Sequence, residues 1–358
     1  MKSKKNTFVS RAAVGCVTTA IFLLLCIIKG IYPFGIATLD TVDFQSQWIP
    51  AYYHVWDVLH GDGSAFFDWR VGGGNNFAGV SAQFSLFSPF NLFFLFVKRS
   101  WIEKSMIVFI IIKLLAMGYG MRWFLKEQIL KEERYGIYIL AGSVGYAVNG
   151  YTLLYYGMGW LDVAAILPLL CYFFCRMAER EGDWRLGKNT LGYIVCLTLV
   201  FLINIPQAYM MCFFLIVFAG GYFFLNRQDQ PLKKNSILKF GLTSLLSLGI
   251  AAVIFLPAAR AMLGSYRLSG EEYRGISGYF LLLRQDGMDA VWKWVILGSV
   301  AVPLLSSFLA AGSGSTSGSG IWWRRWCCRF SSRRSISSGT AGRMCASRCD
   351  MAICWCLP

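Results

Sequence analysis

Runs of apolar residues about as long as a bilayer is thick recur along this chain, and no other feature constrains its fold as strongly. A helix needs roughly 20 residues to cross a hydrocarbon core. Eight runs approach or reach that length, at about 12–33, 105–124, 135–156, 161–177, 190–205, 208–226, 238–259 and 290–311. Lipid offers no water to satisfy backbone groups, so continuous apolar runs become helices, whereas barrel strands alternate with a period of two. Composition agrees. The 358 residues are 56% hydrophobic and only 15% charged, against roughly 45–50% and 25% in soluble domains. The expected class is all-α, a polytopic helical membrane protein of about eight transmembrane helices occupying residues 1–311.

The formal net charge of +15 could signal nucleic acid, but most bases sit in short loops between apolar runs, where they set topology. No stretch interleaves bases and aromatics outside a membrane context, so nucleic-acid binding is not expected. Lys2, Lys4, Lys5 and Arg11 precede the first run, which is too long for a signal peptide and lacks a cleavage site. That places the N-terminus in the cytoplasm and residues 34–104 in a first outer loop. Within this loop, Gln47 to Leu59 reads as an amphipathic surface helix and 81–97 as an interfacial helix that does not cross. Treating 81–97 as non-crossing puts the basic cluster Arg122, Lys126, Lys131 and Arg134 inside, and the later loops then alternate correctly. The outer loop 260–289 is the exception, with Arg260, Arg267, Arg274 and Arg284.

Charge held at a membrane boundary is costly to desolvate and so points to binding or catalysis. The segment from Asp40 to Pro50 puts Asp40, Asp43, Gln45 and Gln47 where the chain leaves the lipid. On the same expected face lie Trp69, Asn76, Asp162 and Gln207. Asp162 opens a span, so it reads either as an N-cap or as a site residue. Two carboxylates at one interfacial cleft suit glycosyl transfer, one as general base on an acceptor hydroxyl and the other orienting the sugar or holding a cation. Arg267 or Arg274 could receive a leaving phosphate, although pairing with Glu271, Glu272, Asp286 and Asp289 explains them equally simply.

Other features carry less. Gly72 to Asn76 has neither a preceding strand nor a following Lys-Ser/Thr, so it reads as a turn, not a phosphate loop. His54 and His60 lack a third ligand and read as surface residues with no metal site. Lys113, in mid-span, must face the bundle interior or snorkel. A divalent cation would suit converging acids, but nothing in the pattern requires one, and no other cofactor is implied.

Four segments resemble the YfhO family of bacterial membrane proteins: TVDFQSQWIPAY (41–52), DWRVGGGNNF (68–77), SLFSPFNLFFLF (85–96) and GWLDVAAILPLL (159–170). Asp43, Gln47, Trp48 and Pro50 match its first motif, Gly72, Gly74, Asn76 and Phe77 its second, and Ser88 to Leu92 its third. Trp160 to Asp162 with Pro168 match its fourth, and order and spacing agree over about residues 20–310. That family is similar to GT-C glycosyltransferases, which take sugars from polyprenyl-phosphate donors on the outer face, and some members are tied to teichoic-acid glycosylation. The resemblance implies Asp43 as catalytic base and Asp162 as a second site carboxylate. It also makes 81–97 a juxtamembrane helix, while Asp40, Gln47, Trp69, Asn76, Trp160, Gln207 and Arg267 are candidate substrate contacts on the outer face. The implied partners are membrane lipid, a lipid-linked sugar donor and an envelope glycopolymer.

The chain changes character near Ala311. GSGSTSGSG leads into a tail, 312–358, rich in Ser, Arg, Cys and Trp, whose six cysteines lack metal-like spacing. The tail is expected to be an out-of-frame or truncation scar without structure. Family members continue for many more spans, and a chain lacking them can keep the site residues and yet be inactive. A transporter or flippase of lipid-linked saccharides, and a non-catalytic envelope assembly partner, are the rival readings.

Overall fold

The computed structural model describes residues 2–39, 43–69, 74–76, 84–130, 136–180, 186–226 and 234–263. It is all-helical. In chain order the helices are α1 (Lys2–Ile28), α2 (Ile49–Leu59), α3 (Ile102–Phe124), α4 (Gly136–Ala147), α5 (Gly150–Leu154), α6 (Trp160–Arg180), α7 (Lys188–Ile203), α8 (Ile205–Asn226) and α9 (Lys234–Leu263). Among the described residues six helical stretches are long and apolar enough to cross a membrane: Arg11–Ile28, Arg99–Ile129, Gly136–Leu154, Trp160–Glu179, Ile205–Phe224 and Asn235–Arg260. The shorter apolar helix α7 accompanies them. These seven correspond to the first seven expected spans. The eighth, 290–311, lies outside the described residues, as do Asp40, Arg267, Arg274 and the tail.

Helix ends follow local chemistry. Asn149 accepts from Thr152 N at 3.0 Å and opens α5, so the expected single span 135–156 is broken at 148–149. Asn204, fully buried between α7 and α8, accepts from Gln207 N at 3.0 Å and starts α8. Pro168 inside α6 removes one backbone bond, which a membrane helix tolerates when neighbours cover the gap.

The centre of the bundle is α3, which packs against α1, α4 and α6. Its buried stripe runs Met106, Phe109, Ile110, Lys113, Leu114, Met117, the spacing of one helix face. Gly118 and Gly120 let neighbours approach closely. A Cβ on Gly118 would sit 3.2 Å from Val14 of α1, and one on Gly120 would sit 3.4 Å from the Ala165 carbonyl of α6. One apolar core joins α1, α2, α3 and the start of α6. A second joins α6, α7, α8 and Ala251 of α9 around Phe174, whose ring meets those of Phe218, Tyr222, Phe223 and Phe240.

Between α1 and α3 the chain makes compact, non-spanning structure. A π-helical turn (Phe44–Trp48) runs directly into α2. Two-residue strands β1 (Phe67–Asp68) and β2 (Asn75–Asn76) pair antiparallel, Phe67 with Asn76 and Asp68 with Asn75. Gly74 closes their turn at φ +112°, a backbone state that favours glycine, with the Trp69 ring against its Cα. Residues 89–96 form a 3₁₀ helix of eight residues, capped by Ser88, whose hydroxyl accepts from Phe90 N at 3.3 Å. At roughly 2 Å per residue it spans about half a hydrocarbon core.

Candidate functional site

The site is built where the π turn and α2 dock onto the chain just before α6. Phe44 packs against Gly157 and its ring centroid lies 6.5 Å from that of Tyr156. Trp48 and Ser85 close over Gly159; a Cβ at Gly157 or Gly159 would collide with these side chains. Tyr52 donates to the Gly157 carbonyl at 2.9 Å. Three of the four family-like segments therefore meet at one point: the first turn after Asp43, the Ser85–Asn91 stretch and the Gly157–Asp162 stretch.

Beneath that contact lies a buried ion pair. Lys113 Nζ stands 2.7 Å from Asp162 Oδ1, and the side chains are 0% and 1% exposed. Lys113 also donates to the Tyr52 hydroxyl at 3.4 Å and lies 4.2 Å from the Phe109 ring centroid. Ser88 lies beside the same carboxylate. An unpaired charge at this depth would be far costlier than the pair. Asp162 is thus not a cap at the helix start; it sits in the first turn of α6, facing across to α3. Burial first, and then the Asp162 carboxylate, hold the Tyr52 hydroxyl well above its usual pKa, so it stays a donor.

Asp43 has the opposite setting. It is exposed, and its carbonyl accepts from Gln47 N at 3.0 Å and Trp48 N at 3.3 Å, which starts the turn. Gln47 is exposed on the same turn. Trp160 continues a ladder of side chains: its ring lies 4.9 Å from Tyr155, Tyr155 lies 5.0 Å from Tyr151, and Tyr151 shares a hydrogen bond with Gln207. Trp160 and Gln207 therefore belong to one face at the N-terminal end of α6, the end against which the Asp43 turn packs. Trp69 stands apart on the β1–β2 loop, 77% exposed, with its ring edge-on to Phe67 at 4.9 Å. Asn76 contributes backbone to β2.

Two expectations need correction. The helix containing His54 does not lie loosely on a surface: Ile49, Tyr52, His54, Val55 and Asp57 are buried, because α2 is wedged between the 3₁₀ helix and α3. His54 is consequently a buried strut, not a surface residue. Its Nε2 donates to the Ser64 carbonyl at 3.1 Å, and Nδ1 faces the Asp68 carboxylate. His60 remains exposed, stacked on Trp56 at 3.8 Å. Among the described residues no three His, Cys, Asp or Glu side chains group as metal ligands.

The family model of the bacterial membrane protein YfhO matches residues 15–287, most of the chain. The chain belongs to the YfhO family. No curated protein and no solved structure matches it. The YfhO match runs from within α1 through α9, and its limits enclose both Asp43 and Asp162. The residue that sequence reasoning left without a role is Lys113. Its signal was present, since it occupies the buried stripe of α3, and a cation there needs an anion on a neighbouring helix.

Proposed function

We propose that this YfhO-family chain is built as a glycosyltransferase of GT-C type, moving a sugar from a polyprenyl-phosphate donor to an outer-surface acceptor such as a teichoic acid. The observation that carries the reading is the exposed Asp43 carboxylate on a turn fastened to the N-terminal end of α6, beside the face that holds Trp160 and Gln207. A general base must be reachable by an acceptor hydroxyl, and Asp43 is the exposed carboxylate at this junction.

In this reading Asp43 takes the proton of the acceptor hydroxyl as its oxygen bonds to the anomeric carbon. The bond from that carbon to the phosphate oxygen breaks, and polyprenyl phosphate leaves with the electron pair. Gln47, Trp160 and Gln207 supply hydrogen bonds and aromatic surface to the sugar, and Trp69 and Asn76 are proposed as further contacts from the β1–β2 loop. Arg267 is the proposed partner of the leaving phosphate, and Asp40 is proposed as a further substrate contact. Asp162, paired with Lys113, anchors the site instead of touching the acceptor. The N-terminus is cytoplasmic and the site faces outward, as the loop charges imply. No step uses a metal ion.

Transfer from a labelled polyprenyl-phosphate sugar in membranes carrying the full chain tests this. Asp43→Asn should lower the rate by roughly 10²–10⁴-fold, the usual worth of a general base. Undiminished transfer by the variant would falsify the assignment. A second reading, a transporter of lipid-linked saccharides, draws on the Lys113–Asp162 pair, since buried intramembrane charge marks transport paths. It predicts translocation of labelled lipid across vesicles that persists in Asp43→Asn and fails in Asp162→Asn.

A further inference from the structure

The 3₁₀ helix and the turn that follows it present a surface that neither core absorbs. Asn91 and Phe94 point inward, Phe94 reaching the Tyr52 and Phe109 rings at 5.3 Å and 4.9 Å. The opposite side exposes Leu92, Leu95, Phe96 and, after the turn, Trp101, at 53%, 44%, 88% and 57%. The segment is held rigidly: Trp56 Nε1 donates to the Val97 carbonyl at 2.7 Å, and Arg99 Nε donates to the buried Asp57 at 2.8 Å. It cannot fold this apolar edge away.

Charge on the same edge is uneven. Arg99 is engaged by Asp57, and its guanidinium stacks 5.0 Å over the Tyr53 ring. Glu103 accepts from the Tyr53 hydroxyl at 3.2 Å. Lys98 and Lys104 are exposed and have no acidic partner among the described residues. Lys104 Nζ lies 5.5 Å from the Trp101 ring, so its stem and the indole are already held together. Exposed apolar side chains, a tryptophan and two uncommitted ammonium groups on one short element make an interfacial anchor, apolar toward acyl chains and cationic toward phosphates.

We propose that the surface formed by Leu92, Leu95, Phe96 and Trp101 with Lys98 and Lys104 binds the phosphate headgroup of an anionic phospholipid at the membrane interface. The apolar residues sit among the acyl chains and the two lysines close on the phosphate, while Arg99 and Asp57 fix the turn. This anchor is independent of the transfer reaction: it requires neither Asp43 nor a sugar donor.

The full chain, reconstituted in nanodiscs of phosphatidylcholine mixed with phosphatidylglycerol, provides the test, with retained lipid counted by native mass spectrometry. Wild type should enrich phosphatidylglycerol, and Lys98→Gln/Lys104→Gln should lose roughly fivefold of that preference per lysine. Lys98→Arg/Lys104→Arg should keep it, which separates charge from folding damage, and Lys188→Gln should leave it unchanged. Equal lipid ratios in wild type and the double Gln variant would overturn the proposal. So would displacement of the lipid by millimolar inorganic phosphate, which marks a free-anion site. A dimer with this face covered and no bound lipid would assign the surface to a second copy instead.

Discussion

Lys113 Nζ lies 2.7 Å from Asp162 Oδ1, with both side chains sealed from solvent. The pair joins α3 to α6 where the π turn docks, so it should behave as one unit. Removing one partner strands a buried charge and should cost about 3–5 kcal/mol. Lys113→Met alone is therefore expected to lower the thermal unfolding midpoint in detergent sharply. Lys113→Met/Asp162→Leu should recover most of the loss, since an apolar pair of similar volume needs no compensation. A double variant that is as damaged as the sum of the two singles would show that the pair is not coupled.

Gly157 and Gly159 test the docking directly. Phe44 sits on the first, and Ser85 and Trp48 sit on the second. A methyl group at either must push the π turn away, at about 1–3 kcal/mol. With Gln47→Cys as a reporter, Gly159→Ala should change the rate of maleimide labelling, whereas Ala at Gly221, which faces open space, should not.

Periodicity and length made the helices legible before any coordinates, because a membrane helix must satisfy its backbone locally and announces itself as one long apolar run. The site was half legible. Asp43 and Asp162 stood out as acids at a boundary, but their different fates could not be read. What separates them is tertiary: Asp162 falls within the first turn of α6 opposite Lys113, while Asp43 stays exposed on its own turn. The burial of His54 was hidden for a related reason. A short amphipathic helix looks alike whether it lies on lipid or is wedged between α3 and a 3₁₀ helix. The broken span at 148–149 had a local signal in Asn149, a residue that competes for backbone amides.

Gly74 holds the β1–β2 turn at φ +112° under the Trp69 ring. Alanine there is both strained and in contact with the indole, and should cost about 1–3 kcal/mol locally. Because the side chains that a Cβ at Gly74 would meet are Trp69 and Phe67 of the same hairpin, Gly74→Ala should speed limited proteolysis within residues 61–76 while leaving the global unfolding midpoint within a degree or two of wild type. A matched fall in both would show that the loop is part of the cooperative core.

Tyr52 links the buried pair to the docked turn, accepting from Lys113 at 3.4 Å and donating to the Gly157 carbonyl at 2.9 Å. Tyr52→Phe keeps the ring contacts with Phe94 and Phe109 but leaves that carbonyl unpaired, a loss of about 1–3 kcal/mol. The effect should be smaller in a Lys113→Met background, since the two side chains share one network. It also carries a pH signature. Burial and the Asp162 carboxylate raise the Tyr52 pKa above its usual 10.0, so the folded chain keeps this proton where the unfolded chain releases it. The resulting stability is complete below pH 10 and falls as pH climbs toward the raised value. Lys113 and Asp162 are present in both proteins being compared, so their own titration largely cancels. The gap between wild type and Tyr52→Phe should therefore be constant from pH 7 to about 9.5 and narrow above pH 10, measured as unfolding midpoints in the same detergent. A gap that widens with rising pH would mean that the hydroxyl is held as phenolate, and the Gly157 bond would have to be abandoned.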